Sequence, residues 1–256
     1  MTKTAALAVL FCLVAAAQIP PPLLRVTRMP GSGTLISPSR YGSARAQVDV
    51  LGMRAATGLP ETWTIEMHQT FASIEDLDAA LGSVPMPETS VYADEVFGST
   101  RTMIAYYRAG WGYRSEEAVR MLPRARYLHI AIYRMRPGGD EQLEKLLAAR
   151  RRKMDTVNLD SPDLVYHVVS GGQSGLYIVL APIVSLRKFD EGVAKLPAYA
   201  EPMAAAESPA ELDSAESLLF RMDPGISYVT AEFAAADPLF WHPQREPGVL
   251  GPYGER

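Results

Sequence analysis

The second half of the chain alternates between strand-like and helix-like patterns of apolar and polar residues. Apolar side chains recur at helical spacing over residues 141–157 and 186–196, with Asp140 and Ser185 as the predicted N-caps. Runs rich in β-branched, aromatic and aliphatic residues, bounded by turn residues, predict strands. These strands are residues 127–135, 164–170, 176–183 and 216–222.

The order of these elements is β-α-β-β-α-β, which is the ferredoxin-like arrangement. The first half follows the same order less clearly. Its predicted helix is residues 73–81, whereas residues 30–43 contain Gly31, Gly33 and Pro38, so the other helix of this half is shortened or replaced by a loop. The predicted strands of the first half are residues 23–29, 48–57, 61–69 and 102–108.

Three matched segments indicate that the chain repeats itself. Residues 27–31 resemble 133–138, and residues 103–108 resemble 217–221. Between them, the pair of segments 62–65 and 73–78 is matched by 176–179 and 185–190, in the same order. The predicted fold class is therefore α+β, with two tandem ferredoxin-like repeats. Each repeat has helices on one side of its sheet only, so burying the two bare sheet faces against each other predicts an internal barrel within one chain.

The N-terminus has the pattern of a secretory signal peptide. Lys3 precedes thirteen uncharged apolar residues, and Ala15 and Ala17 provide small residues before a cleavage point at Gln18. Export to the periplasm or beyond is therefore expected. The predicted organisation is a signal peptide at 1–17, a first repeat at 18–122, a second repeat at 123–229, a docking segment at 230–241 and a disordered tail at 242–256.

Composition excludes several classes of function. The single cysteine, Cys12, lies in the predicted signal peptide, so the mature chain is expected to have no disulfide, thiol chemistry or Cys-ligated zinc. The 25 basic and 29 acidic side chains give a formal charge of −4, which offers no reason to expect nucleic acid as a partner. No membrane anchor is expected after cleavage of the signal peptide.

The repeats and the C-terminal segment together resemble a known superfamily. Residues 227–241 (Ser-Tyr-Val-Thr-Ala-Glu-Phe-Ala-Ala-Ala-Asp-Pro-Leu-Phe-Trp) follow the second repeat. The chain resembles the dimeric α+β-barrel superfamily, which includes antibiotic-biosynthesis-type monooxygenases and NIPSNAP-like domains, and within it secreted bacterial tandem-repeat proteins. The resemblance implies a fold and a compartment, but no activity. From their size, Phe233, Phe240 and Trp241 are expected to dock the C-terminus onto the core.

Strand alternation gives the candidate site. On residues 127–135, the aliphatic face of Leu128, Ile130 and Ile132 is expected under helices, and the opposite face, with His129, is expected in the barrel lumen. Arg108 and Arg221 occupy equivalent places and could clamp a carboxylate, or form ordinary ion pairs. The candidate ligand-binding residues are Tyr127, His129, Tyr133, His167, Tyr177, Trp63, Arg108 and Arg221.

Two functions fit these residues. The first is a module that holds a small apolar or aromatic ligand inside the barrel. The alternative is an enzyme resembling the cofactor-independent monooxygenases, with His129 as base and Tyr133, Tyr177 and Trp63 shaping the pocket. A third interpretation is that His129 is a structural core histidine held by hydrogen bonds. No metal is expected, because His129 and His167 are predicted two strand spacings, about 9.6 Å, apart, whereas zinc ligands lie about 2 Å from the ion. No cofactor is expected either; haem is the remote alternative, since some barrels of the superfamily that the chain resembles bind it, but no histidine lies on a predicted helix and there is no C-x-x-C-H motif.

Overall fold

The computed structural model describes residues 19–31, 48–68, 73–76, 100–195 and 210–241. Within these residues, eight antiparallel strands form a closed barrel, so the α+β class and the barrel are confirmed. The strands are β1 (Leu23–Pro30), β2 (Val48–Ala55), β3 (Glu61–His68), β4 (Arg101–Tyr107), β5 (Tyr127–Met135), β6 (Leu164–Ser170), β7 (Leu176–Ile183) and β8 (Leu212–Met222). The helices are α1 (Ser115–Met121), α2 (Asp140–Thr156), α3 (Leu186–Lys195), α4 (Ala231–Ala234) and α5 (Pro238–Trp241).

The strands are ordered β1-β3-β2-β8-β5-β7-β6-β4 around the barrel. The four strands of each half lie side by side, in the order β4-β1-β3-β2 in the first half and β8-β5-β7-β6 in the second. Two seams join the halves: residues 53–55 of β2 pair with 220–222 of β8, and β4 pairs with β6. Each half therefore uses its two edge strands to close the barrel with the other half.

Several predicted segments lie wholly or partly outside the described residues. They include the signal peptide, the tail at 242–256 and the loop predicted at 30–43. Of the predicted helix 73–81, only residues 74–76 are described as helical. The tandem repeat and the domain boundaries thus stay predictions. No helix in the described part of the chain is long and apolar enough to cross a membrane.

Two differences from the sequence expectation are larger than one or two residues at the end of an element. β8 begins at Leu212 rather than at residue 216, because its polar first residues are held by pairing with β5 as far as Met135. Helix α1, which the sequence analysis did not predict, lies between the halves and is only seven residues long. Both differences arise from tertiary contacts rather than from local propensity.

The barrel interior is a filled apolar core. Trp63 of β3 packs against Phe220 of β8 with 4.9 Å between ring centroids, and both side chains are fully buried. One contiguous cluster contains inward side chains of every strand: Leu24, Val26, Leu51, Met53, Trp63, Ile65, Met103, Ala105, Leu128, Ile130, Tyr166, Ile178, Leu180, Leu218 and Phe220. Because almost none of this surface is exposed, these side chains leave no room between them for a ligand.

The predicted facing of β5 is wrong. Leu128, Ile130 and Ile132 point into the barrel, whereas Tyr133 packs with Leu143 and Leu147 of α2 on the outward face. Both faces of β5 are buried, so the alternation of side chains along the strand could not show which face points into the barrel. The purely aliphatic face packs into the apolar interior, whereas the mixed face carries polar side chains that find partners outside it, such as His129 with Ser217.

One end of the barrel is covered by α1 and by the C-terminal helices. Trp241 is buried in the core cluster, and its indole N–H donates a hydrogen bond to the carbonyl of Pro123 at 2.7 Å. Arg126 pairs with Asp237, and its guanidinium lies 3.9 Å from the centroid of the Phe240 ring. The C-terminal segment is thus held to the linker that joins the two halves.

The same C-terminal segment also contacts β2 of the first half. Tyr228 forms a β-bridge with Val50, and the Ser227 hydroxyl accepts a hydrogen bond from the Gly52 amide at 2.9 Å. A Cβ atom on Gly52 would lie 2.2 Å from the carbonyl oxygen of Ile226. This approach is possible only because residue 52 has no side chain.

We expect Gly52→Ala to destabilise the protein by about 1–3 kcal/mol, since the added methyl must displace the C-terminal segment. Urea denaturation and limited proteolysis measure this. Gly225→Ala is the control, because its Cβ would meet only the Asp223 carboxylate, at 3.1 Å. Equal stability of the two variants would contradict the close approach.

Candidate functional site

Four of the predicted site residues share the outward face of the second half. His129 and Tyr133 lie on β5, His167 on β6 and Tyr177 on β7, and Tyr133 is the register partner of Tyr177. Helices α2 and α3 cover this face, and Phe189 of α3 meets the His129 ring edge-on at 5.7 Å. The structure brings these four candidates together on the outward side of the sheet, rather than in the barrel lumen where the sequence analysis expected them.

An aromatic ladder is the main feature of this face. The rings of His167 and Tyr177 are stacked at 4.5 Å, and those of Tyr177 and Trp111 at 5.4 Å. The guanidinium of Arg108 lies 4.4 Å from the centroid of the Trp111 ring. Tyr177 and Trp111 are buried, whereas Arg108 and His167, the two ends of the ladder, are partly exposed. Sequence reasoning missed Trp111, because it lies in a loop outside any predicted element.

The rings of the ladder are uncharged at neutral pH. Burial raises the pKa of the Tyr177 hydroxyl above its ordinary value, and the nearby Asp140 carboxylate raises it further. Burial lowers the pKa of His167, and Arg108 lowers it too, against the opposing effect of Asp140. The Tyr177 hydroxyl is buried, and the Asp140 carboxylate is the acidic group that faces it.

Arg108 is the cation at one end of the ladder. Its backbone N–H donates to the carbonyl of Val165 at 2.8 Å, which anchors the residue directly after β4. Its guanidinium forms no ion pair with any described residue, although it is only partly exposed. A guanidinium next to an indole ring, with no ion pair among the described residues, can receive a carboxylate in a charge-assisted hydrogen bond.

His129 lies in a second polar cluster of the same face. Its Nε2 is 2.7 Å from the Ser217 hydroxyl oxygen of β8, and the residue is 5% exposed. Burial lowers its pKa to about 4, helped by the charge of Arg150. Arg150 in turn pairs with the buried Asp163, whose carboxylate also accepts a hydrogen bond from the Tyr113 amide at 2.8 Å.

The remaining candidates lie apart from these four. Trp63 is inside the barrel, where its indole N–H donates to Glu61. Strand alternation puts Tyr127 on the same outward face as His129, but at the start of β5, where it pairs with the exposed Arg221 near the end of β8. Because β4 and β8 are four places apart in a closed ring of eight strands, Arg108 and Arg221 lie on opposite sides of the barrel. The predicted arginine clamp is therefore wrong.

Comparisons with known proteins give structural similarity only. No family model matches the chain, and no curated protein matches it. An anthrone oxidase-like protein is 12% identical with a TM-score of 0.47, covering 80% of this chain and 94% of its own. Chlorite dismutase from Candidatus Nitrospira defluvii, in complex with imidazole, is 10% identical with a TM-score of 0.44, covering 80% and 92%. Identities and TM-scores this low say nothing about activity, so function is argued from this chain's own residues.

The buried His129 gives a pH dependence of stability. Its pKa is about 4 in the folded protein against an ordinary value of 6.5. Its stabilising contribution is thus complete above pH 6.5 and is lost as the pH falls from 6.5 towards 4, because the unfolded chain takes up the proton first. This loss amounts to at most about 3 kcal/mol.

We expect His129→Gln to be less sensitive to acid over this range than the wild type. Urea denaturation at pH 7, 5.5 and 4 gives the free energy of unfolding of both proteins. Parallel pH profiles for the two would contradict a buried neutral histidine.

Proposed function

We propose that this chain is an exported protein of the dimeric α+β-barrel superfamily and that it binds a small planar aromatic anion on the outward face of its second half. The four strands follow the same order in each half, which supports both the assignment to this superfamily and the tandem repeat. In this arrangement one chain supplies both halves of a barrel. The signal-peptide pattern of residues 1–17 supports export.

The observation that carries the binding proposal is the combination of Arg108 with the aromatic ladder. Arg108 offers a guanidinium that forms no ion pair in the described part of the chain, and the ladder offers flat apolar surface next to it. An aromatic carboxylate matches both features, since its ring can pack on the aromatic side chains while its charge pairs with the guanidinium. The partly exposed His167 marks where the ladder reaches solvent.

The packing of the barrel favours this location over the interior. The inward side chains of all eight strands form a single buried cluster, so a ligand inside would have to displace core residues such as Trp63. Displacing well-packed core side chains is costly. On the outward face, by contrast, polar side chains lie next to partly exposed residues such as Arg108 and His167. The ligand expected from the sequence is thus assigned to the other side of the sheet.

The alternative function is that of a cofactor-independent monooxygenase. It is favoured by the position of His129 and Tyr133 on the same face as Tyr177. Against it, the Nε2 of His129 is engaged by Ser217 rather than directed at the ladder. Oxygen uptake with quinols and phenols tests it, and uptake that is absent or unchanged in His129→Ala removes it.

We expect the wild type to bind 2-naphthoate, and Arg108→Gln to bind it about tenfold more weakly. A hydrogen bond to a charged group contributes about 1.5–3 kcal/mol. The neutral analogue 2-naphthamide should bind both proteins alike, and Trp111→Leu should weaken both ligands. Isothermal titration calorimetry gives the affinities.

Arg221→Gln is the matched control, since Arg221 occupies the equivalent place on the opposite side of the barrel. It should bind 2-naphthoate like the wild type. An equal loss in both arginine variants, or no measurable affinity of the wild type, would overturn the proposal.

A further inference from the structure

We propose that Ser217 and His129 form a nucleophile–base pair that accepts an acyl group from activated esters. This activity is distinct from ligand binding at the aromatic ladder and uses neither Arg108 nor Trp111. It rests on the geometry of two adjacent strands, on the charge around the imidazole and on the access of solvent to the serine.

The two side chains are held together by the pairing of β5 and β8. In this register Ser217 lies opposite Ala131 and His129 lies opposite Leu219, so the serine and the histidine are diagonal neighbours on the outward face. The Oγ to Nε2 distance is 2.7 Å, within the reach of proton transfer from a serine nucleophile to its base. Phe189 of α3 contacts the imidazole edge-on at 5.7 Å and restricts its rotation.

The surroundings keep the imidazole neutral. Desolvation by burial is the main reason, and the positive charge of Arg150 adds to it, so the pKa of His129 is about 4. A neutral ring can accept the hydroxyl proton at any pH above about 5. The same low pKa makes His129 a weak base, which limits the reaction to esters with a good leaving group.

The serine is reachable while the base is shielded. Ser217 is partly exposed, and the residues before it on β8, from Asp213 to Glu216, are exposed. His129 is 5% exposed. An ester can therefore approach Ser217 from the solvent side of β8, whereas water has little access to the imidazole.

The reaction follows the usual course of acyl transfer. The Ser217 oxygen forms a bond to the carbonyl carbon of the ester as its proton passes to His129. The ester C–O bond then breaks and the leaving group departs as a phenolate or alcohol. With p-nitrophenyl acetate, the products are acetyl-Ser217, p-nitrophenolate and one proton.

The test is acylation of the full chain by p-nitrophenyl acetate, followed by intact-mass measurement and peptide mapping. We expect one acetyl group on Ser217, formed at a rate that is constant between pH 6 and 8 and falls below pH 5. Ser217→Ala should lose this adduct, and His129→Gln should form it at least tenfold more slowly. Ser214→Ala, on the same strand, is the control and should react like the wild type.

A merely structural hydrogen bond between the two residues predicts a different result. In that case the wild type would carry no acetyl group on Ser217, or its rate would rise tenfold per pH unit as for an unassisted hydroxyl. Either result overturns the proposal. If His129→Gln does not fold, as judged by circular dichroism, the pH profile of the wild-type rate decides the question.

Discussion

Closure of the barrel is the constraint on which the rest of this structure depends. Each four-stranded half has one apolar face, and its two edge strands carry unpaired backbone groups. Exposing the apolar face or the strand edges to water would be unfavourable. The seams β2–β8 and β4–β6 pair those edges and, in the same step, bury the apolar faces against each other. The interior must then be filled by side chains, and polar chemistry is left to the outward faces.

The outward faces of the two halves differ in chemistry. Thr27 of β1 pairs with Thr64 of β3 in the first half, and Tyr133 of β5 pairs with Tyr177 of β7 in the second. The first half also carries a buried ion pair, in which Arg25 donates to both oxygens of Glu66 at 2.9 and 3.2 Å. Among the described residues, the stacked rings of His167, Tyr177 and Trp111 lie on the second half, which is the half to which the proposed function assigns the ligand.

The sequence predicted what local residues determine and failed where both sides of a strand are buried. The limits of β5, β6 and β7 followed from their composition and from the turn residues beside them. The facing of His129 did not, because helices cover one side of β5 and the barrel core covers the other. Ser217 was missed because its partner His129 lies far away in the chain and only strand pairing brings the two together, and Trp111 was missed because it lies in a loop and stacks on the distant Tyr177.

The pairing of Met53 with Met222 affects the order in which the molecule can be made. The two residues of this seam are 169 positions apart in the sequence. Until Met222 has been synthesised, β2 and β8 cannot pair, and the ring of strands stays open at that seam. Closure of the barrel thus waits for a contact between distant parts of the chain, which is the kind of contact that slows folding.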